Sequence, residues 1–127
     1  MQLILVLALL VACGPKPAPQ PPKVDTASLA AEIDAEQADL VTILHRHRAD
    51  CAALAANLKA LFAKMSASFA RAKELQKDVA IAKQLTSDMK HYDAAAAARA
   101  PALDAEVNGP CVRDPAVRDV LMTMPTL

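Results

Sequence analysis

The chain has 127 residues, 14 basic and 14 acidic side chains, and only Phe62, Phe69 and Tyr92 as aromatic residues. That length suits one small domain. Balanced charge and scarce rings argue against a nucleic-acid partner and against an aromatic-lined cofactor pocket.

The first predicted element is an apolar run, Leu3 to Ala12, ending at Cys13. It is too short to span a bilayer, which takes about 20 residues. Its length is that of the apolar core of a secretory signal. After Cys13, the stretch Gly14-Pro15-Lys16-Pro17-Ala18-Pro19-Gln20-Pro21-Pro22-Lys23 is dominated by proline. Such a sequence favours an extended polyproline spacer of roughly 3.1 Å per residue, about 30 Å in all.

The tetrapeptide Leu10-Val11-Ala12-Cys13 resembles the lipobox of bacterial lipoproteins. The resemblance covers the first 13 residues. It implies a signal peptide over residues 1–12 that is cleaved, and a diacylglyceryl thioether on Cys13. It also implies further acylation (palmitate or a similar chain) of the new amino terminus. Residues 13–24 then form a lipidated linker and 25–127 a helical domain. The membrane becomes a partner through the acyl chains on Cys13. Gly14, where the family carries an Asp for retention at the inner membrane, implies the periplasmic face of the outer membrane.

From Val24 to Ala100 there is neither Gly nor Pro, and alanine is abundant. The stretch therefore reads as helix, with no strand-like alternation. Asp25-Thr26 offers the first cap after the prolines. Leu29, Ile33, Leu40, Leu44 and His47 start an apolar stripe at three-and-four spacing. Cys51, Leu54, Leu58, Leu61, Met65, Phe69, Ala72, Leu75, Val79 and Ala82 continue it, and Met89, Tyr92, Ala96, Ala100, Leu103 and Val107 extend it further. A single helix from 26 to 107 would measure roughly 120 Å, so the chain must fold back to bury that stripe.

Caps place the breaks. Asp50 precedes a helix starting at Cys51, and Thr86-Ser87-Asp88 marks the main reversal, with Ser66-Ala67-Ser68 the weaker site. A bridge from Cys51 to Cys111 favours the reversal near Thr86, because it makes the two arms nearly equal in length. Pro101 should kink the last long helix, and Asn108-Gly109-Pro110 should end it. Asp114-Pro115 then opens a short helix carrying Val117, Val120 and Leu121. The expected fold is all-α: a small antiparallel bundle of three long helices plus a short C-terminal one. With Asp50-Cys51 and the late Cys111 before a capped short helix, the body resembles small all-helical lipoproteins of unknown function.

With Cys13 acylated, Cys51 and Cys111 remain. In an oxidising compartment an even pair reads as a disulfide, with two free thiols or a metal site as the alternatives. His47 and Cys51 are four apart, a spacing that suits a metal on one helix face. His45 and His91 are the other histidines that could hold a metal or haem. The expectation is nonetheless that no cofactor is bound and that His47 is a packing residue, since zinc usually takes three or four protein ligands and a disulfide removes the thiolate.

Catalysis has less behind it. There is no phosphate loop, nucleophile elbow or His-Glu-x-x-His, and Ser66, Ser68 and Ser87 have no evident base. Glu74 and Asp78 alternate with Lys73 and Lys77 as on a solvated, self-paired face. The acids from Asp25 to Asp39 precede a basic stretch from Arg46 to Lys90. In an antiparallel bundle the two would neutralise each other; otherwise the basic face would meet anionic lipid or wall. The expected function is a non-enzymatic, lipid-anchored module with a structural or protein-interaction role and an envelope protein as partner. The alternative is a metal- or haem-binding lipoprotein using His47, His91 and His45.

Overall fold

A computed structural model describes residues 24–127, and within them all the regular secondary structure is helical. The tetrapeptide that resembles a lipobox, Cys13 included, and the proline-rich stretch through Lys23 lie outside the described residues. Helix α1 spans Thr26–Arg46, α2 Cys51–Leu75, α3 Val79–Lys90, α4 Asp93–Val107 and α5 Pro115–Leu121, with a 3-10 turn at Pro110–Arg113. None of these helices is long and apolar enough to cross a membrane.

Aspartate opens four of the five helices. Asp25 accepts from the Ser28 amide and Asp50 from that of Ala53. Asp78 accepts from the amides of Ala80 and Ile81, and Asp114 from those of Ala116 and Val117. Each carboxylate satisfies amides that a helix start leaves without partners and sits at the positive end of the helix dipole. Pro115 at the first position of α5 loses no bond by lacking an amide hydrogen.

The small bundle expected from the sequence is present, but its return path is divided differently. The reversal lies at Gln76–Asp78, not at Thr86, and Thr86-Ser87-Asp88 sits inside α3. Thr86 turns its hydroxyl back onto the Ala82 carbonyl within that helix. Asp78, expected on a solvated face, is the cap that starts α3; only Glu74 makes the expected local pair, with Lys77 at 2.6 Å. A second break at His91–Tyr92 splits the third long helix into α3 and α4. The expectation treats the return as one straight helix matched to α2. Instead α3 reaches the first turn of α1, where Thr26 donates to Asp88 at 2.5 Å, and the run back along α1 begins at Asp93.

Helix α4 continues through Pro101 and ends at Asn108, before Gly109-Pro110. Pro101 is exposed, and so is Ala97, whose carbonyl loses its helical donor there and can turn to water.

The core is built mostly from α1 and α2. Leu29, Ile33, Leu40 and Leu44 of α1 meet Leu54, Leu58, Leu61, Phe62, Met65 and Phe69 of α2, all buried. The apolar stripe holds to Ala72 and fails at Val79, which is 71% exposed. Two ionic pairs cross from the acidic helix, Glu32 to Arg71 and Asp34 to Arg99; the first joins it to the basic stretch, and the second to Arg99 beyond that stretch.

Cys51 and Cys111 are joined, with sulfurs 2.07 Å and Cα atoms 5.2 Å apart. The link fastens the chain beyond α4 to the start of α2, and α5 packs on α2 with Val117 buried.

Candidate functional site

Helix α4 carries Ala94 to Ala98 in a row and buries none of its residues. Its inward positions Ala96 and Ala100 are too short to reach the core. A groove of about 430 Å³ is left between α4 and the α1–α2 pair. Leu40, Met65 and Phe69 line it from the hairpin, and Leu103 from α4. The segment Met124–Leu127 contributes to the lining, yet Met124 is 46% and Leu127 53% exposed.

Arg99 is the one charged residue in the lining, and it donates through Nη2 to Asp34 Oδ1. Both side chains are mostly shielded, unlike Arg71 and Glu32, which are half-exposed. An exposed pair contributes only about 0–1 kcal/mol; a shielded one is screened less by salt and holds a more defined geometry. The groove is thus apolar with one shielded ion pair, Arg99 with Asp34, at its wall, the general composition of a small-ligand pocket.

The three histidines do not converge. His45 hydrogen-bonds Glu106 through Nδ1 at 2.8 Å, tying the end of α1 to the end of α4. His47 ends α1 as its half-buried C-cap. Because α1 stops at Arg46 and α2 starts at Cys51, His47 and Cys51 do not share a helix face, and Cys51 is held by Cys111. His91 caps α3 about one turn beyond Asp88, the residue to which Thr26 donates. It therefore lies at the opposite end of α1, a helix of about 30 Å, from His45 and His47. Among the described residues, no group of three or more His, Cys, Asp or Glu side chains is arranged to hold a metal.

Ser66 and Ser87 are exposed. Ser68 is fully buried and donates to Glu36 Oε2 at 2.5 Å. That pair was not anticipated from sequence, although both residues fall on the apolar stripe: Glu36 between Ile33 and Leu40, and Ser68 between Met65 and Ala72. A serine closed off from solvent has no route to a substrate, so the bond is a core contact in which hydroxyl and carboxylate satisfy each other.

No protein-family model matches the chain, and neither the curated proteins nor the solved structures yield a similar one.

Proposed function

We propose that this chain is a lipid-anchored, non-catalytic helical module of the bacterial envelope, attached through acyl chains on Cys13. In this reading it stands off the periplasmic face of the outer membrane on its proline-rich stalk, with an envelope protein as partner. The pairing of Cys51 with Cys111 is the observation that carries the reading. The chain has three cysteines. Two are consumed in a bond suited to an oxidising compartment, and the third stands at the end of a lipobox. A short apolar segment followed by cysteine and prolines has a clear use as signal, anchor site and spacer.

The alternative, a metal or haem held by His47, His91 and His45, has less behind it, because the histidines lie at opposite ends of α1. Mass spectrometry of the mature protein tests the anchor. The expected amino terminus is an acylated Cys13, and Cys13→Ala should abolish both the acyl mass and processing at that site. A mature wild-type chain that begins elsewhere, or carries an unmodified Cys13, refutes the proposal.

A further inference from the structure

We propose that the groove between α4 and the α1–α2 pair binds a long-chain fatty acid, its tail over Leu40, Met65 and Phe69 and its carboxylate at Arg99. Size decides against bulkier occupants. The groove holds about 430 Å³, and one turn of helix about 10 Å across and 5.4 Å tall fills roughly 420 Å³. A partner helix, or a helix of a second copy of the chain, could place no more than about one turn within it. An extended peptide has no sheet edge to pair with, since the lining is made of helices and the short non-helical segment Met124–Leu127. A slender alkyl chain can lie in the groove and cover the uncovered parts of Met124 and Leu127.

Charge selects the head group. Arg99 is the groove's one charged lining side chain, and its pairing with Asp34 engages only part of its guanidinium. A guanidinium has five N–H donors, and a single one is directed at Asp34. The remaining donors can take a carboxylate at the mouth of an apolar channel, the pairing that guanidinium geometry favours. The alanines of α4 leave the space, and the hairpin's large side chains give it an apolar floor.

The inference does not depend on the lipid anchor. The test uses the full chain in phosphatidylcholine nanodiscs, labelled with a photoactivatable fatty acid and mapped by mass spectrometry. Labels should concentrate on peptides containing Leu40 and Leu103. Unlabelled saturated fatty acids from eight to fourteen carbons should compete with affinity rising up to about fourfold per methylene. The matching alcohols should compete about tenfold less well, for want of a charge-assisted bond. Filling the groove with Ala96→Leu and Ala100→Leu should lower labelling at least tenfold at unchanged helicity. The double variant Asp34→Asn, Arg99→Gln, which leaves no lone charge, should erase the preference for acid over alcohol. Cys13→Ala should label as wild type, so failure of the anchor and failure of the groove are separable. Labelling that survives the filled groove, spreads evenly over the surface, or treats acids and alcohols alike overturns the proposal. Labelling that rises when Cys13 is replaced also overturns it, because the chain's own acyl group would then be the occupant.

Discussion

The α1–α2 hairpin and the return arm formed by α3 and α4 are both rich in alanine, yet they are held by apolar and polar contacts in different proportions. The hairpin buries leucines, two phenylalanines, Ile33 and Met65 in continuous contact. The arm buries Leu85 alone, and α4 buries nothing. The arm otherwise leans on the core only through the half-buried Met89, Tyr92, Leu103 and Val107, and it adds a series of polar ties along α1: Thr26 to Asp88, Asp34 to Arg99, and His45 to Glu106. Beyond its end, the bond from Cys111 to Cys51 fastens the chain covalently. Apolar area resists opening roughly in proportion to the surface covered, whereas polar ties exchange with water at little net cost. The hairpin should therefore be the last part to open and the arm the first, which is also what a groove between them needs if it is to admit a ligand.

The bond between Cys51 and Cys111 should have the largest effect on this division. It closes a separation of 60 residues, for which the chain-entropy account gives about 4 kcal/mol. Replacing both cysteines by alanine should lower the denaturation midpoint accordingly. Hydrogen exchange should speed up in α4 and α5 well before α2. Equal acceleration in α2 and α4 would mean that hairpin and arm open as one unit.

Within the hairpin, Leu58 is fully buried. Leu58→Ala should cost about 3 kcal/mol, through lost transfer energy and the cavity left behind. Leu103→Ala in α4 removes the same atoms from a half-exposed site and should cost about 1 kcal/mol or less. Urea titrations of the two variants give the ratio directly. If Leu103→Ala proves as costly as Leu58→Ala, the arm is packed more firmly than its exposure indicates.

The buried pair of Glu36 and Ser68 sharpens the contrast from the polar side. Ser68→Ala leaves a buried carboxylate without its hydroxyl donor and should cost about 1–3 kcal/mol. Replacing both, with Glu36→Leu and Ser68→Ala, should recover most of that loss, since apolar groups of similar shape leave nothing unsatisfied. A double-mutant cycle in urea tests this. Simple additivity of the two single losses would show that the hydrogen bond contributes nothing of its own.

Much of the hairpin was legible in the sequence because its signals agree. Asp50 caps where the stripe pauses, and the stripe from Cys51 to Ala72 packs as its spacing predicts. The end at Asn108-Gly109 and the start at Asp114-Pro115 were equally clear, because Gly and Pro interrupt the helix directly. The arm was harder to read because its signals conflict. Leu75, Val79 and Ala82 keep helical spacing across a break, and Val79 ends up exposed. Asp78 is masked by the alternating Lys and Glu around it, while Thr86-Ser87-Asp88 looks more like a cap than it is. The groove had no sequence signal beyond the Ala94 to Ala98 run, which fits a close helix contact as well as an unfilled gap. Arg99 acquires meaning only from Asp34, 65 residues away.

The smallest expected effect compares one kind of cap in the two regions. Asp50 starts α2 and Asp78 starts α3. Replacing either by alanine removes hydrogen bonds to amides at a helix start, a change that typically costs about 1 kcal/mol. The losses should nonetheless appear in different places. Helix α2 is anchored by nine buried residues, so its first turn cannot fray far without disturbing the core. Asp50→Ala should therefore lower the global midpoint by nearly the full amount. Helix α3 has Leu85 as its one buried residue, and its other ties, at Asp88 and Met89, lie toward its far end, so it can lose its first turn while the hairpin stays closed. Asp78→Ala should move the midpoint by a few tenths of a kcal/mol at most, yet raise exchange at the amides of Ala82 and Lys83 about fivefold. Equal midpoint shifts for the two variants would place the unfolding of α3 inside the global transition, and the distinction between hairpin and arm would be lost.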